Sequence, residues 1–239
     1  LKREMRVWSS LTHRNVLPFL GICYLPNVSA TFSLVSRWME NGTAIAYVKK
    51  DPYVDKLAII VGIFRGIRYL HDHGIVHGDI KPSNILMSDS GVPLVGDFGL
   101  ATLQTGDSEI TGATFASVST ATQGGTMRYM APELFSESDP ETSGRSSKPS
   151  YQSDVWAFGC VLLELITLFP PYRTCKTPFH ALTEIISGRL PLVHDPHVSK
   201  KAFPEAFAPY PGIWFLCLRY WETNVTTRVS LPEVRDWLM

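Results

Sequence analysis

The stretch VWAFGCVLLELITLF, residues 155–169, constrains this chain more than any other. Its fifteen residues carry a single charge, Glu164. A membrane span needs about 20 apolar residues, so the run is too short to cross a bilayer and reads as a buried core helix. Such a helix needs other elements packed around it, which a globular domain supplies. Composition agrees, with 45% apolar and 18% charged residues among 239. Lys plus Arg equals Asp plus Glu, 22 each, which argues against nucleic acid or a charged membrane surface as the main partner.

The four cysteines, Cys23, Cys160, Cys175 and Cys217, are far apart and form no CxxC pair. Neither zinc nor a disulfide framework is expected, and a reducing, cytoplasmic compartment is. The first residues, LKREMRVWSS, are charged and amphipathic and do not read as a signal peptide. Nothing in the sequence points to an oligomeric state.

Helical spacing of Met5, Trp8 and Leu11 predicts a helix from residue 1 to about 11. NVLPFLGICYL and TFSLVSRWM read as two short strands joined by a turn at PNVS. TAIAYVKK is a short helix, and residues 54–73 form a long one with a wide apolar stripe, ended by Gly74. ILM and PLVG are small strands around SDSG. Residues 101–125 and 136–150 read as polar loops, and the chain from 151 onward is mainly helical.

HGDIKPSN, residues 77–84, places an acid, a cation and an amide within six residues, just ahead of a strand. Alone these are ordinary turn residues. They are followed in order by DFG at 97–99, APE at 131–133, Asp154 in SDVWAFG and Arg228 in TRVSLPEVRDWL. That ordered set resembles the protein kinases, over nearly the whole chain. Lys81 two residues after Asp79, and Thr126 in GGTMRYMAPE, resemble the Ser/Thr type within the tyrosine-kinase-like group.

The resemblance implies an α+β fold with a mostly helical large lobe, residues 41–239, holding an activation segment at 97–133 and a polar insertion at 136–150. Residues 1–40 would be a partial small lobe, with one helix, two strands and the start of the hinge. It implies transfer of the ATP γ-phosphate to protein Ser/Thr hydroxyls, with ATP and Mg²⁺ required. Asp79 would orient the acceptor hydroxyl, Lys81 would reach the transferred phosphoryl group, and Thr126 would support both. Asn84 and Asp97 would supply oxygen ligands to Mg²⁺. Ser36 would be a small gatekeeper, backbone groups from Arg37 through Trp38 to Met39 would face the adenine, and Leu86 would form the floor under it. Glu4, His77, Phe98, Gly99, Glu133, Asp154 and Arg228 would be structural support, with Glu133 paired to Arg228.

Two departures stand out. Gly78 occupies the place where the family often carries an Arg that receives an activation-loop phosphate. A Gly-rich loop and a strand-borne Lys, which the family places before the helix carrying Glu4, are not found, so the first three small-lobe strands are expected to be missing. A chain lacking them would be inactive alone. The alternative is a pseudokinase-type interaction module.

Overall fold

The first helix, α1 (Lys2–Trp8), is shorter than the spacing of Met5, Trp8 and Leu11 predicts. Ser9 and Ser10 end it: their hydroxyls donate to the Arg6 and Val7 carbonyls, and such side chains compete with helix propagation. Leu11 is nonetheless buried. These features come from a computed structural model that describes residues 2–24, 32–103, 126–135, 148–192 and 205–234. By its internal contacts the chain forms two units, Leu1–His77 with Ser83–Ile110, and Gly78–Pro82 with Thr111–Met239.

In the first unit, β1 (Phe19–Tyr24) and β2 (Phe32–Ser36) pair antiparallel, from Phe19 opposite Ser36 to Tyr24 opposite Phe32. Pro18 has no N–H to give a ladder, and β1 begins just after it. The residues before it join another element: Leu17 N–H donates to Val95 O at 2.8 Å, and Val95 N–H donates to Asn15 O at 3.0 Å. Leu20, Ile22, Tyr24 and Phe32 are all at least half exposed. The turn expected at 26–29 lies outside the described residues.

Helix α2 (Ala44–Lys50) is capped by the Thr43 hydroxyl, and α3 (Lys56–Asp72) by the Asp55 carboxylate. The stripe of α3 is fully buried at Ile60, Ile63, Phe64, Ile67 and Leu70. Each such side chain contributes about 1.5–3 kcal/mol of transfer free energy. Gly66 lets α3 approach closely, since a Cβ there would lie 2.5 Å from the Asn15 carbonyl oxygen. Gly74, at φ 73°, ends the helix as expected.

Two pairings of two-residue or three-residue strands follow from here. β3 (Ile75–Val76) pairs with β6 (Thr102–Leu103), and β4 (Ile85–Met87) with β5 (Pro93–Val95). The polar stretch predicted as loop from 101 thus begins with a strand; residues 104–125 lie outside the described residues.

In the second unit the apolar run forms α4 (Tyr151–Thr167), in which every residue from Ser153 to Ile166 is buried. Ser150 and Ser153 cap it reciprocally through side-chain and backbone groups. The rest of the expected 136–150 loop, residues 136–147, is likewise outside the description. Helix α5 (Pro178–Ile186), capped by Thr177, and α6 (Pro211–Tyr220) complete the unit, with α6 packed on α4. Cys160 and Cys217 are buried, and burial pushes both thiols up, so they stay protonated and inert. Among the described residues no helix is long and apolar enough to cross a membrane.

Candidate active site

The HGDIKPSN run contributes to both units. In the second, the Lys81 ammonium donates to Asp79 Oδ2 at 2.7 Å and to the Thr126 hydroxyl at 3.0 Å. The side chains of Lys81 and Asp79 are 20% and 10% exposed, so this pair is partly shielded from water but open on one side. Thr126 begins the 3₁₀ turn Thr126–Tyr129 and is itself nearly buried. The three residues assigned to catalysis from sequence therefore converge. The backbone just before them is fixed as well: Gly78 N–H donates to Asp154 Oδ1 at 2.9 Å, and Asp154 is 1% exposed at the start of α4. A cleft beside Asp79 is lined by Thr126, Tyr129, Met130, Leu134 and Ala157.

The APE glutamate and the distant arginine also meet. Arg228 grips both Glu133 oxygens, at 2.6 and 3.0 Å, and also donates to the Gln152 and Glu222 carbonyls. Two residues that sequence reasoning did not single out act nearby. Tyr129 donates to the carboxylate of Glu164, the lone charge in the apolar run, and burial followed by the Glu164 charge pushes its phenol up. Arg128 donates to the carbonyls of Pro171, Tyr172 and Cys175. Both lie inside the quoted GGTMRYMAPE stretch, which was the available signal.

In the first unit, Asn84 directly precedes β4, and Gly96–Asp97 directly follow β5. Gly96 N–H donates to Asn84 O at 2.9 Å, so the amide and the acid share the open end of one hairpin. Asp97 is exposed, at φ 63°, with Gly99 N–H directed at its Oδ1. Phe98 is fully buried between His77, at 5.4 Å ring separation, and Trp8 of α1, at 5.9 Å. His77 also bonds Gly96 O at 2.9 Å. This packing holds α1 near Asp97. The Glu4 carboxyl lies above its ordinary pKa, mainly from burial and then from the Asp97 charge.

The sign of that shift makes a prediction. A carboxyl raised in the folded state favours folding below its unfolded pKa and opposes it as pH rises through the folded value. Glu4→Gln should therefore raise Tm at pH 7.5, by an amount on the order of one degree because the group is partly exposed. The gain should vanish near pH 4, as thermal melts at the two pH values would show. A variant less stable than the parent at pH 7.5 would contradict the repulsion.

The residues after β2 are tied to the β4–β5 hairpin. Arg37 pairs with Asp89 at 2.5 Å, Asn41 donates to Ser88 O, Met87 N–H donates to Gly42 O, and Thr43 bridges to Leu86. Ser36 ends β2 and is half buried, Met39 is buried, and Trp38 is 78% exposed. Leu86 is thus held against the segment that follows Ser36–Met39, and the Trp38 side chain points to solvent, which leaves the backbone of that residue as the group expected to face adenine.

Comparison with known proteins is consistent with this geometry. The family model described as protein kinase domain matches residues 1–235. The chain is 34% identical over 194 residues to a probable serine/threonine-protein kinase of Dictyostelium discoideum, covering 80% of this chain and 35% of that protein. It is 33% identical over 239 residues to the serine/threonine/tyrosine-protein kinase HT1 of Arabidopsis thaliana, covering 98% of this chain and 52% of that one. It is 29% identical over 241 residues to the serine/threonine-protein kinase STY46 of the same plant, covering 99% and 36%. The chain thus spans between about a third and a half of the length of these relatives.

Proposed function

The chain belongs to the protein kinase family, and on that premise we propose that it transfers the γ-phosphate of ATP to Ser or Thr hydroxyls of a protein. The observation that carries the proposal is the Asp79–Lys81–Thr126 hydrogen-bonded group. Asp79 accepts the hydroxyl proton as the serine or threonine oxygen bonds to the γ-phosphorus. The bond from that phosphorus to the β–γ bridging oxygen breaks, and ADP leaves. Lys81, held by Asp79 and Thr126, balances charge on the phosphoryl group. A lysine at this position, rather than the alanine usual in tyrosine kinases, supports the Ser/Thr assignment. We read residues 1–40 as a partial small lobe and 41–239 as large lobe.

Asn84 and Asp97 suit Mg²⁺: both offer hard oxygen donors, and both stand at one hairpin end, with Asp97 exposed. Two protein ligands are enough for an ion whose other ligands are waters and phosphates. When bound, the ion neutralises phosphate charge. In this proposal the hairpin and the backbone of residues 37–39 hold the nucleotide, with Leu86 under the adenine. The four free cysteines fit a reducing, cytoplasmic setting.

A second reading, an interaction module without transferase activity, is favoured by Glu4, whose carboxyl is pushed up by burial and then by the Asp97 charge. Incubating the chain, extended before α1 by a kinase Gly-rich loop and Lys-bearing strand, with labelled ATP, Mg²⁺ and a general Ser/Thr protein substrate, followed by phosphoamino-acid identification, separates the two. We expect phosphoserine and phosphothreonine. We also expect Mg²⁺ removal or Asp97→Asn to weaken ATP binding by roughly tenfold or more. Metal-dependent binding with no transfer would select the second reading.

A further inference from the structure

Residues 126–135 carry Thr126, which holds Lys81, and this segment is tied down by side chains of its own. Tyr129 reaches Glu164, and Glu133 reaches Arg228. The anchor nearest to Thr126 is different in kind. Arg128 makes three hydrogen bonds, to Pro171 O at 3.0 Å, Tyr172 O at 2.6 Å and Cys175 O at 2.7 Å. All three carbonyls belong to the connection between α4 and α5. Carbonyl oxygens turned toward one point repel one another unless a cation gathers them, and the planar guanidinium can serve several at once.

The connection is built to present those carbonyls. Tyr172 has φ 52°, a left-handed backbone that a non-glycine residue adopts only when its surroundings hold it there. Its N–H donates to Pro191 O, and its hydroxyl donates to Arg189 O. Tyr172 and Cys175 are buried with Ala181 and Ile185 of α5 in a small apolar cluster. Phe135, at the far end of the same 126–135 segment, packs on that cluster. Arg128 therefore ties the turn bearing Thr126 to a rigid floor.

We infer that Arg128 is a positioning residue for the Asp79–Lys81 pair: it clamps the 126–129 turn to residues 171–175 and thereby sets the Thr126 hydroxyl that holds Lys81. That the pair serves phosphoryl transfer rests on the function proposed above; the clamp itself does not. The test accordingly has a readout apart from activity. The full chain is treated with an amine-acylating reagent, and the modification rate of each lysine is followed by peptide mass spectrometry.

Thr126→Val and Arg128→Ala should each raise the rate at Lys81 at least about threefold, while exposed Lys148 and Lys176 react as in the parent. The double variant should be no faster at Lys81 than Thr126→Val alone, because both changes break one connection. Arg128→Lys keeps the charge but loses the fork and should fall between parent and Arg128→Ala. It also serves as the test variant if Arg128→Ala does not fold. In transfer assays Arg128→Lys should lower kcat with little change in KM for ATP. An unchanged Lys81 rate, a rise shared equally by all three lysines, or additive effects in the double variant would each overturn the inference. Absence of transfer in the parent extended by a kinase Gly-rich loop and Lys-bearing strand would count against the proposed function and leave the labelling result standing.

Discussion

Replacing Asp79 by Asn should lower kcat for phosphoryl transfer by about 10²–10⁴-fold, the range for loss of a positioned proton acceptor. Asn keeps the shape and can still accept from Lys81 Nζ through its carbonyl oxygen, so the local packing survives. What it loses is the ability to take the hydroxyl proton and the charge that pairs with Lys81 at 2.7 Å. The side chains are only 20% and 10% exposed, but the amide still accepts from Lys81, so losing the charge costs about 1–2 kcal/mol. Tm should accordingly stay within a few degrees of the parent. KM for ATP should change little, because Asn84 and Asp97, proposed above to face the nucleotide, are untouched. Steady-state kinetics with a thermal melt on the same sample provide the check. A fall in kcat of less than tenfold would remove Asp79 from its assigned role.

That Asp79 could be proposed from sequence reflects how the motif is spaced. Asp79, Lys81 and Asn84 are close in sequence, and DFG, APE, Asp154 and Arg228 follow in a fixed order. The structure joins Thr126 to Lys81 and Glu133 to Arg228, and ties Asp154 to the backbone at Gly78. Long elements were legible too: the stripe of α3 and the run of α4 span enough turns for a period to show. The β3–β6 pair was not, because two residues on each side carry no period at all. The length of α1 differs from the expectation because Leu11 is buried in register with Met5 and Trp8 although the helix has already ended at Trp8. Arg128 escaped for another reason. Its partners are backbone carbonyls of residues 171–175, and a carbonyl is the same whatever side chain it accompanies. Contacts of that kind leave a mark only on the donor's identity.

The Glu133–Arg228 contact is the opposite case, legible at both ends, and its loss should have the largest effect on stability. The Arg228 side chain is 0% exposed and lies 5.1 Å from the Trp156 ring. Arg228→Met preserves much of the buried volume but strips hydrogen bonds from both Glu133 oxygens and from the Gln152 and Glu222 carbonyls. Breaking such a pair from one side typically costs about 3–5 kcal/mol, because the remaining charge and carbonyls stay where water reaches them poorly. For a chain of this size that corresponds to a fall in Tm of roughly 10 °C. Glu133→Gln should cost less, since Glu133 is 22% exposed and the amide oxygen still accepts. Combining the two should recover about 1 kcal/mol relative to the sum of the single effects, as expected when one interaction is lost twice. Arg228→Lys should behave nearly as badly as Arg228→Met, because an ammonium cannot reproduce the bidentate fork while also reaching two carbonyls. Denaturant melts of the four variants test this directly. If Arg228→Met stays within 1 kcal/mol of the parent, the pair is not what fastens residues 132–135 to α4.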